Sequence, residues 1–293
     1  MGGAMLIAAL VAGCAPRSGH SSGIESTPPD WPTVRESWNT RAESIKRLYG
    51  RGIFETRWTD DEGAAHVEQG DLDLWYEHPE RLASRVSKFG ETFAVTGMNE
   101  SSMWLHLEGE QSVFYSGRRI EGRIMSMDSM PVDPRMYRSV LGLASLPTVP
   151  DRIDAVWDPE AEAWVFDLPV LDPAIPTRLW MQPSANYPFR LEYTLSNDGG
   201  RLTVEHDPRR TRVIELPGLP VTRWPVFCNS VSLELHSADR PLSRSLVVFD
   251  RLSCEVEEKI MDRVFDLDVM REGLGPDRIE SIDRYSPPEG AAE

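Results

Sequence analysis

In this chain of 293 residues, the residue best placed by its neighbours to undergo covalent chemistry is Cys14. It follows Leu10-Val11-Ala12-Gly13 at the end of the apolar run Ala4 to Ala12, the pattern of a lipobox. A short hydrophobic segment carries the chain to an export machinery, small residues give a peptidase access to the backbone, and the thiol then takes up a lipid. The run is far shorter than the ~20 apolar residues of a membrane-spanning helix, so it suits a cleaved signal segment. Met1-Gly2-Gly3-Ala4 departs from that pattern in carrying no basic residue. Residues 15–32, rich in Pro, Ser, Gly and Thr up to Pro29, have the composition of a flexible tether.

No other residues assemble a reaction centre in the sequence. The histidines, at 20, 66, 78, 106, 206 and 236, stand singly and outside any metal-ligand spacing, and are expected mostly on exposed strands or turns. Asp71 and Asp73 share a strand face that could bind a cation, although alternating acids on the wet face of an acidic protein are usually solvated. There is no G-x-S-x-G elbow, P-loop or G-x-G-x-x-G. The reading is therefore non-enzymatic, with no cofactor and no metal. A net charge of −16 argues against nucleic acid, and against an anionic lipid recognised by a basic field. With Cys14 lipidated, Cys228 and Cys254 remain. Folding residues 227–236 and 245–254 about the turn Ser237-Ala238-Asp239-Arg240-Pro241 brings them nearly opposite, so they form either a disulfide or two free thiols.

The elements that must position any binding face are mostly strands. A helix is expected from Val34 to Tyr49, with Thr33-x-x-Glu36 as a capping box and Gly50 at its end. Turn signals at Asp60 to Gly63, His78 to Glu80, Phe89 to Glu91, Met98 to Glu100 and Glu108 to Glu110 then separate six strands between residues 53 and 117. A second helix is expected over Asp133 to Leu143, and further strands over 153–157, 162–171, 177–182, 189–196, 200–206, 211–216, 226–236 and 245–255. A short helix through Arg271 follows Leu267, and from Gly273 onward the tail reads as disordered. The organisation is thus a signal segment at 1–14, a tether at 15–32, one domain at 33–270 and an acidic tail at 271–293. The fold class is mainly β: about 11–13 antiparallel strands in a strongly curved sheet, an incomplete barrel lidded by helices.

Strand alternation gives the sheet one dry face. Leu72, Leu74 and Tyr76 oppose Asp71 and Asp73; Leu191, Tyr193 and Leu195 oppose Glu192 and Thr194; Val231, Leu233 and Leu235 oppose Ser232 and Glu234. Trp75 and Trp104 fall out of phase with those faces. They either stand on the outer surface, where a Trp can meet a membrane or a protein partner, or lie beneath a helix or the tail.

The order of parts, with Gly70-Asp71-Leu72-Asp73-Leu74-Trp75-Tyr76, His78-Pro79-Glu80-Arg81-Leu82, Met103-Trp104-Leu105 and Pro188-Phe189-Arg190-Leu191, resembles the LolA/LolB-like superfamily of bacterial envelope lipoproteins from about Trp38 to Val256. That resemblance implies a half β-barrel whose apolar cavity takes up a lipid or the acyl chain of a lipoprotein, in periplasmic transport. Phe54, Trp58, Leu72, Leu74, Tyr76, Met103, Leu105, Leu191, Tyr193 and Leu233 would then line the cavity. The other reading of the same residues is a filled core, in an envelope scaffold or a lipoprotein that binds a protein partner; an envelope hydrolase is the weaker third. Ala15 after the cysteine implies, by resemblance to proteobacterial lipoproteins, sorting to the outer membrane, facing the periplasm.

Overall fold

The computed structural model describes residues 27–60, 62–119, 126–127, 130–131, 133–149, 152–183, 187–195, 200–237 and 241–282. The lipobox with Cys14, the tether up to residue 26 and His20 lie outside the described residues.

Helix α1 (Trp31–Ser44) starts at Asp30, whose carboxylate accepts from Thr33 N at 3.1 Å and Thr33 Oγ1 at 3.0 Å, with Pro32 in the first turn. The helix therefore begins and ends earlier than its apolar spacing suggests. Leu48 and Tyr49 belong instead to β1 (Arg47–Thr59), where Leu48 pairs with Tyr76 and Tyr49 lies between Trp75 and Ser253. A meander follows through β2 (Ala65–Glu77), β3 (Arg81–Lys88), β4 (Glu91–Met98), β5 (Ser102–Leu107) and β6 (Val113–Arg118), close to the expected bounds.

After the small pair β7 (Ser126–Met127) and β8 (Met130–Pro131) comes α2 (Pro134–Val140), capped by Asp133. It stops short of Leu143 because Gly142, at φ 66°, turns the chain left-handed. The second meander runs through β9 (Val156–Asp158), β10 (Ala163–Asp167), β11 (Arg178–Met181), β12 (Arg190–Thr194) and β13 (Arg201–His206). The chain then leaves the sheet as a hairpin of β14 (Thr211–Val213) and β15 (Val226–Cys228), and returns in β16 (Ser230–His236) and β17 (Pro241–Ser253). The single strand expected over 226–236 is thus broken at Asn229, whose N–H donates to Arg210 O.

Across the sheet the order is β18-β6-β5-β4-β3-β2-β1-β17-β16-β13-β12-β11-β10-β9, where β18 is Arg278–Ser281. Among the described residues all pairs are antiparallel except β18 beside β6, and the sheet ends in two unpaired edges, so it curves without closing. Bulges between Arg51 and Gly52, Val86 and Ser87, and Leu235 and His236 supply local bending. The expected disorder after Gly273 is corrected over residues 273–282. There α4 (Leu267–Leu274) ends, and β18 adds a strand to the β6 edge, fixed by Ser112 and Asp277 bonding each other's backbone N–H.

The inner face is one core. Leu72, Leu74, Tyr76, Met103, Leu105, Leu191, Tyr193, Leu202 and Val204 are buried with Trp31, Val34 and Trp38 of α1 and Met136 and Val140 of α2. On the outer face, α3 (Glu258–Phe265) lays Met261 and Phe265 against Ala83 and Trp75, and α4 lays Leu267, Met270 and Leu274 against Val95, Trp104 and Phe114. The out-of-phase tryptophans are therefore covered: Trp104 is 0% exposed and Trp75 is partly buried. Trp104 also lies flat over Gly97 on the neighbouring strand, where a Cβ would sit 2.4 Å from its ring.

Candidate functional site

The inner face has a floor of strands and a lid of α1, α2 and residues 141–149. Seven of the ten residues expected to line a cavity, Leu72, Leu74, Tyr76, Met103, Leu105, Leu191 and Tyr193, are buried in the core beneath that lid. Phe54 and Leu233 are partly buried at its margin. Trp58 lies outside this cluster and stacks on His66, with ring centroids 5.1 Å apart.

Backbone carbonyls fasten the parts of the lid to one another and the lid to the floor. Trp38 Nε1 donates to Ala144 O at 2.7 Å, and Asn39 clamps Leu146 through both its O and N, at 3.1 and 2.7 Å. Tyr76 Oη donates to Leu143 O at 3.1 Å, His206 Nε2 lies 2.8 Å from Val140 O, and Ser139 Oγ lies 3.0 Å from Tyr193 Oη. Arg41 donates to Gly142 O at 2.9 Å, with its guanidinium carbon 4.9 Å from the centroid of Trp38 and 4.3 Å from that of Tyr187. Those two rings stack on each other at 5.6 Å, so ring faces stand where a carboxylate would otherwise be needed. Burial lowers the pKa of Arg41 and pushes that of His206 down to about 4, leaving the imidazole neutral at pH 7.

Toward the far end of β1 the floor gives way to a partly exposed apolar row. Phe54 faces Val247 across the β1–β17 pair; Val86 faces Ala94, which faces Leu107; Leu233 faces Val204. Phe54, Val86, Leu107, Leu233 and Val247 all pack on the core without being fully buried. A separate shallow groove of about 430 Å³ lies on the outer face, lined by Phe189, Arg190, Glu205, Asp207, Ser232 and Leu246. Its charges are already paired, with Arg190 Nη2 2.7 Å from Glu205.

Polar chemistry is dispersed. Among the described residues no three His, Cys, Asp or Glu side chains gather as metal ligands. Asp71 is exposed, while Asp73 accepts from Tyr49 Oη at 2.6 Å and Arg85 Nη2 at 2.5 Å. Desolvation, followed by that bond to Asp73, raises the Tyr49 pKa to about 12. The expectation of mostly exposed histidines fails for His106 and His206, 1% and 3% exposed. His106 occupies the outer-face row between Val95 and Phe114, in the region that α4 covers, and burial lowers its pKa. Cys228 and Cys254 are free thiols. Cys228 sits opposite Thr211 in the hairpin, donating to Ser230 O at 3.0 Å, and the register of Ser230 with Val248 carries Cys254 past that pair.

Sequence reasoning missed Arg41, Tyr187 and the carbonyls of 141–149. The one local signal was the i, i+3 spacing of Trp38 and Arg41 on α1.

No protein-family model matches the chain, and no curated protein matches it. Among solved structures it is similar to the LolA superfamily protein NE2245 from Nitrosomonas europaea, with a TM-score of 0.46 and 10% identity over 80% of this chain and 98% of that one. It is similar to a domain assigned to outer membrane lipoprotein sorting from Vibrio parahaemolyticus, with a TM-score of 0.46 and 12% identity over 82% and 96%. A DUF1329 family protein from Desulfovibrio piger gives 0.44 and 11% over 83% and 99%. The superfamily expected from the sequence is therefore represented among the structures to which this chain is similar.

Proposed function

We propose that the protein is a membrane-anchored envelope lipoprotein that holds a lipid, or the acyl chain of a lipoprotein, non-covalently against its inner face, in lipid or lipoprotein trafficking. The observation behind this reading is the partly exposed row Phe54, Val86, Leu107, Leu233 and Val247, which continues the buried floor and leaves apolar area for an acyl chain. Each methylene buried there contributes roughly 0.8 kcal/mol, and no reacting group is required. Cys14 supplies the anchor and residues 15–32 the tether, placing the domain on the periplasmic side, at the outer membrane. The role is one of holding rather than catalysis.

Organic extraction and mass spectrometry of the purified protein test this. A stoichiometric acyl lipid is expected, and its loss from a folded Phe54→Asp, Leu107→Asp variant. A folded parent that stays lipid-free when offered envelope lipids overturns the reading. That outcome would favour a filled scaffold with a protein partner, which the close packing of Leu74, Tyr76, Met103 and Tyr193 beneath the lid also suits. Lipidation is read separately, as a mass increment absent from Cys14→Ser.

A further inference from the structure

The connection between β13 and β16 has two unlike faces. One is bound to the body, with Ile214, Leu216 and Phe227 buried in the main core, while the hairpin is closed on itself by Ile214 N donating to Pro225 O at 2.9 Å and Asn229 N to Arg210 O at 2.8 Å. The other face carries Val213, Leu219, Val221 and Val226, 55%, 38%, 66% and 49% exposed. Val213 and Val226 are direct cross-strand partners, so two β-branched side chains meet on the solvent side, where folding of this chain alone gains little from them. The tip is held in shape by Pro217, Pro220 and Pro225 and by Trp224, whose indole N–H donates to Leu219 O at 3.0 Å.

Arg209, Arg210, Arg212 and Arg223 surround these residues, and all four are exposed. Between Asp207 and Val226 they face only two acids, Asp207 and Glu215, in a chain whose net charge is −16. Arg210 lies 3.8 Å from Asp207, and among the described residues Arg209, Arg212 and Arg223 have no ion-pair partner. Arg178 and Arg190 on the nearby outer face are paired with Asp167 and Glu205.

The geometry points to this hairpin as a docking surface for an anionic phospholipid bilayer. The arginines meet headgroup phosphates, while Val213, Leu219, Val221 and Val226 enter the interfacial layer. An acidic protein would satisfy the arginines alone; the exposed apolar face between them selects a layered, charged-over-apolar partner. The rest of the acidic surface is repelled from such a bilayer, so contact is confined to the hairpin and fixes the orientation of the domain. This holds whether or not the inner face carries a lipid.

The test uses the full chain carrying Cys14→Ser, so that no acyl anchor contributes, co-sedimented with phosphatidylcholine vesicles with and without equimolar phosphatidylglycerol. Binding is expected to the anionic vesicles alone and to weaken with added salt. Each of Arg209→Gln, Arg212→Gln and Arg223→Gln should reduce partitioning about fivefold. Val213→Asp with Val226→Asp should abolish it while the circular dichroism spectrum is retained. A folded parent that stays in the supernatant with anionic vesicles overturns the proposal. So does sedimentation that these variants leave unchanged, or capture by immobilised polyglutamate without vesicle binding.

Discussion

The outer face of the sheet is built differently in its two halves. Over β2 to β6 it is dry: Trp75, Ala83, Val95, Trp104 and Phe114 lie beneath α3 and α4. Over β10 to β17, apart from the small buried cluster of Ala163, Val165 and Trp180, it is wet, with Arg178 paired to Asp167, Arg190 to Glu205, and Arg178 and Arg201 both near Glu192. One half is therefore a three-layer sandwich of lid, sheet and helices, and the other has two layers. Stability should be concentrated in the first half, leaving the second free to present surface.

Truncating the sandwiched side chain should have the largest effect. Trp104→Ala empties the space beneath α4 and is expected to cost about 3–5 kcal/mol, read from the urea midpoint. A cost below ~1 kcal/mol would mean that α4 is not a packed layer.

Acid pH sharpens the contrast next, because each half buries a neutral histidine, His106 outside and His206 inside. For His206 the folded pKa of about 4 lies below the unfolded value near 6.5, so the unfolded chain binds the extra proton. Stability is then full above pH ~6.5, falls as pH drops toward ~4 and levels off below, for a total of about 3 kcal/mol. His206→Gln should flatten that decline in thermal melts; an unchanged slope would place its proton uptake elsewhere.

Gly97→Ala puts a methyl group into the Trp104 ring and is expected to cost about 1–3 kcal/mol, more than the same change at exposed Gly273, which has open space around it. The smallest effect belongs to the wet half: Arg190→Ala should cost no more than about 1 kcal/mol, since both partners in its ion pair are solvent-accessible. A larger loss there would erase the distinction between the halves.

How far these halves were legible in the sequence follows from range. The β1 to β6 meander could be read because each turn announces itself locally, with Phe89-Gly90 and His78-Pro79-Glu80 lying between alternating strands. The third layer was signalled only by Trp75 and Trp104 falling out of phase. The residues that answer them, Met261, Phe265 and Met270, lie far along the chain in a segment whose apolar positions look sparse without the partner face. The lid was hidden because its fastenings are backbone carbonyls, which any residue supplies. The basic hairpin was hidden by averaging: a net charge of −16 conceals four arginines within fifteen positions, 209–223.

The pairing of β1 with β17 sets the order in which the molecule can assemble. Tyr49 lies opposite Ser253, and that seam joins the two meanders at the middle of the sheet. Neither meander can complete the sheet until nearly the whole chain has been delivered, so folding is governed by a contact of very long sequence separation and is expected to be slow. A chain interrupted before Pro241 would present β1 and β16 as open edges, ready to pair with another copy. Quality control of this protein therefore has a single late checkpoint, the arrival of β17.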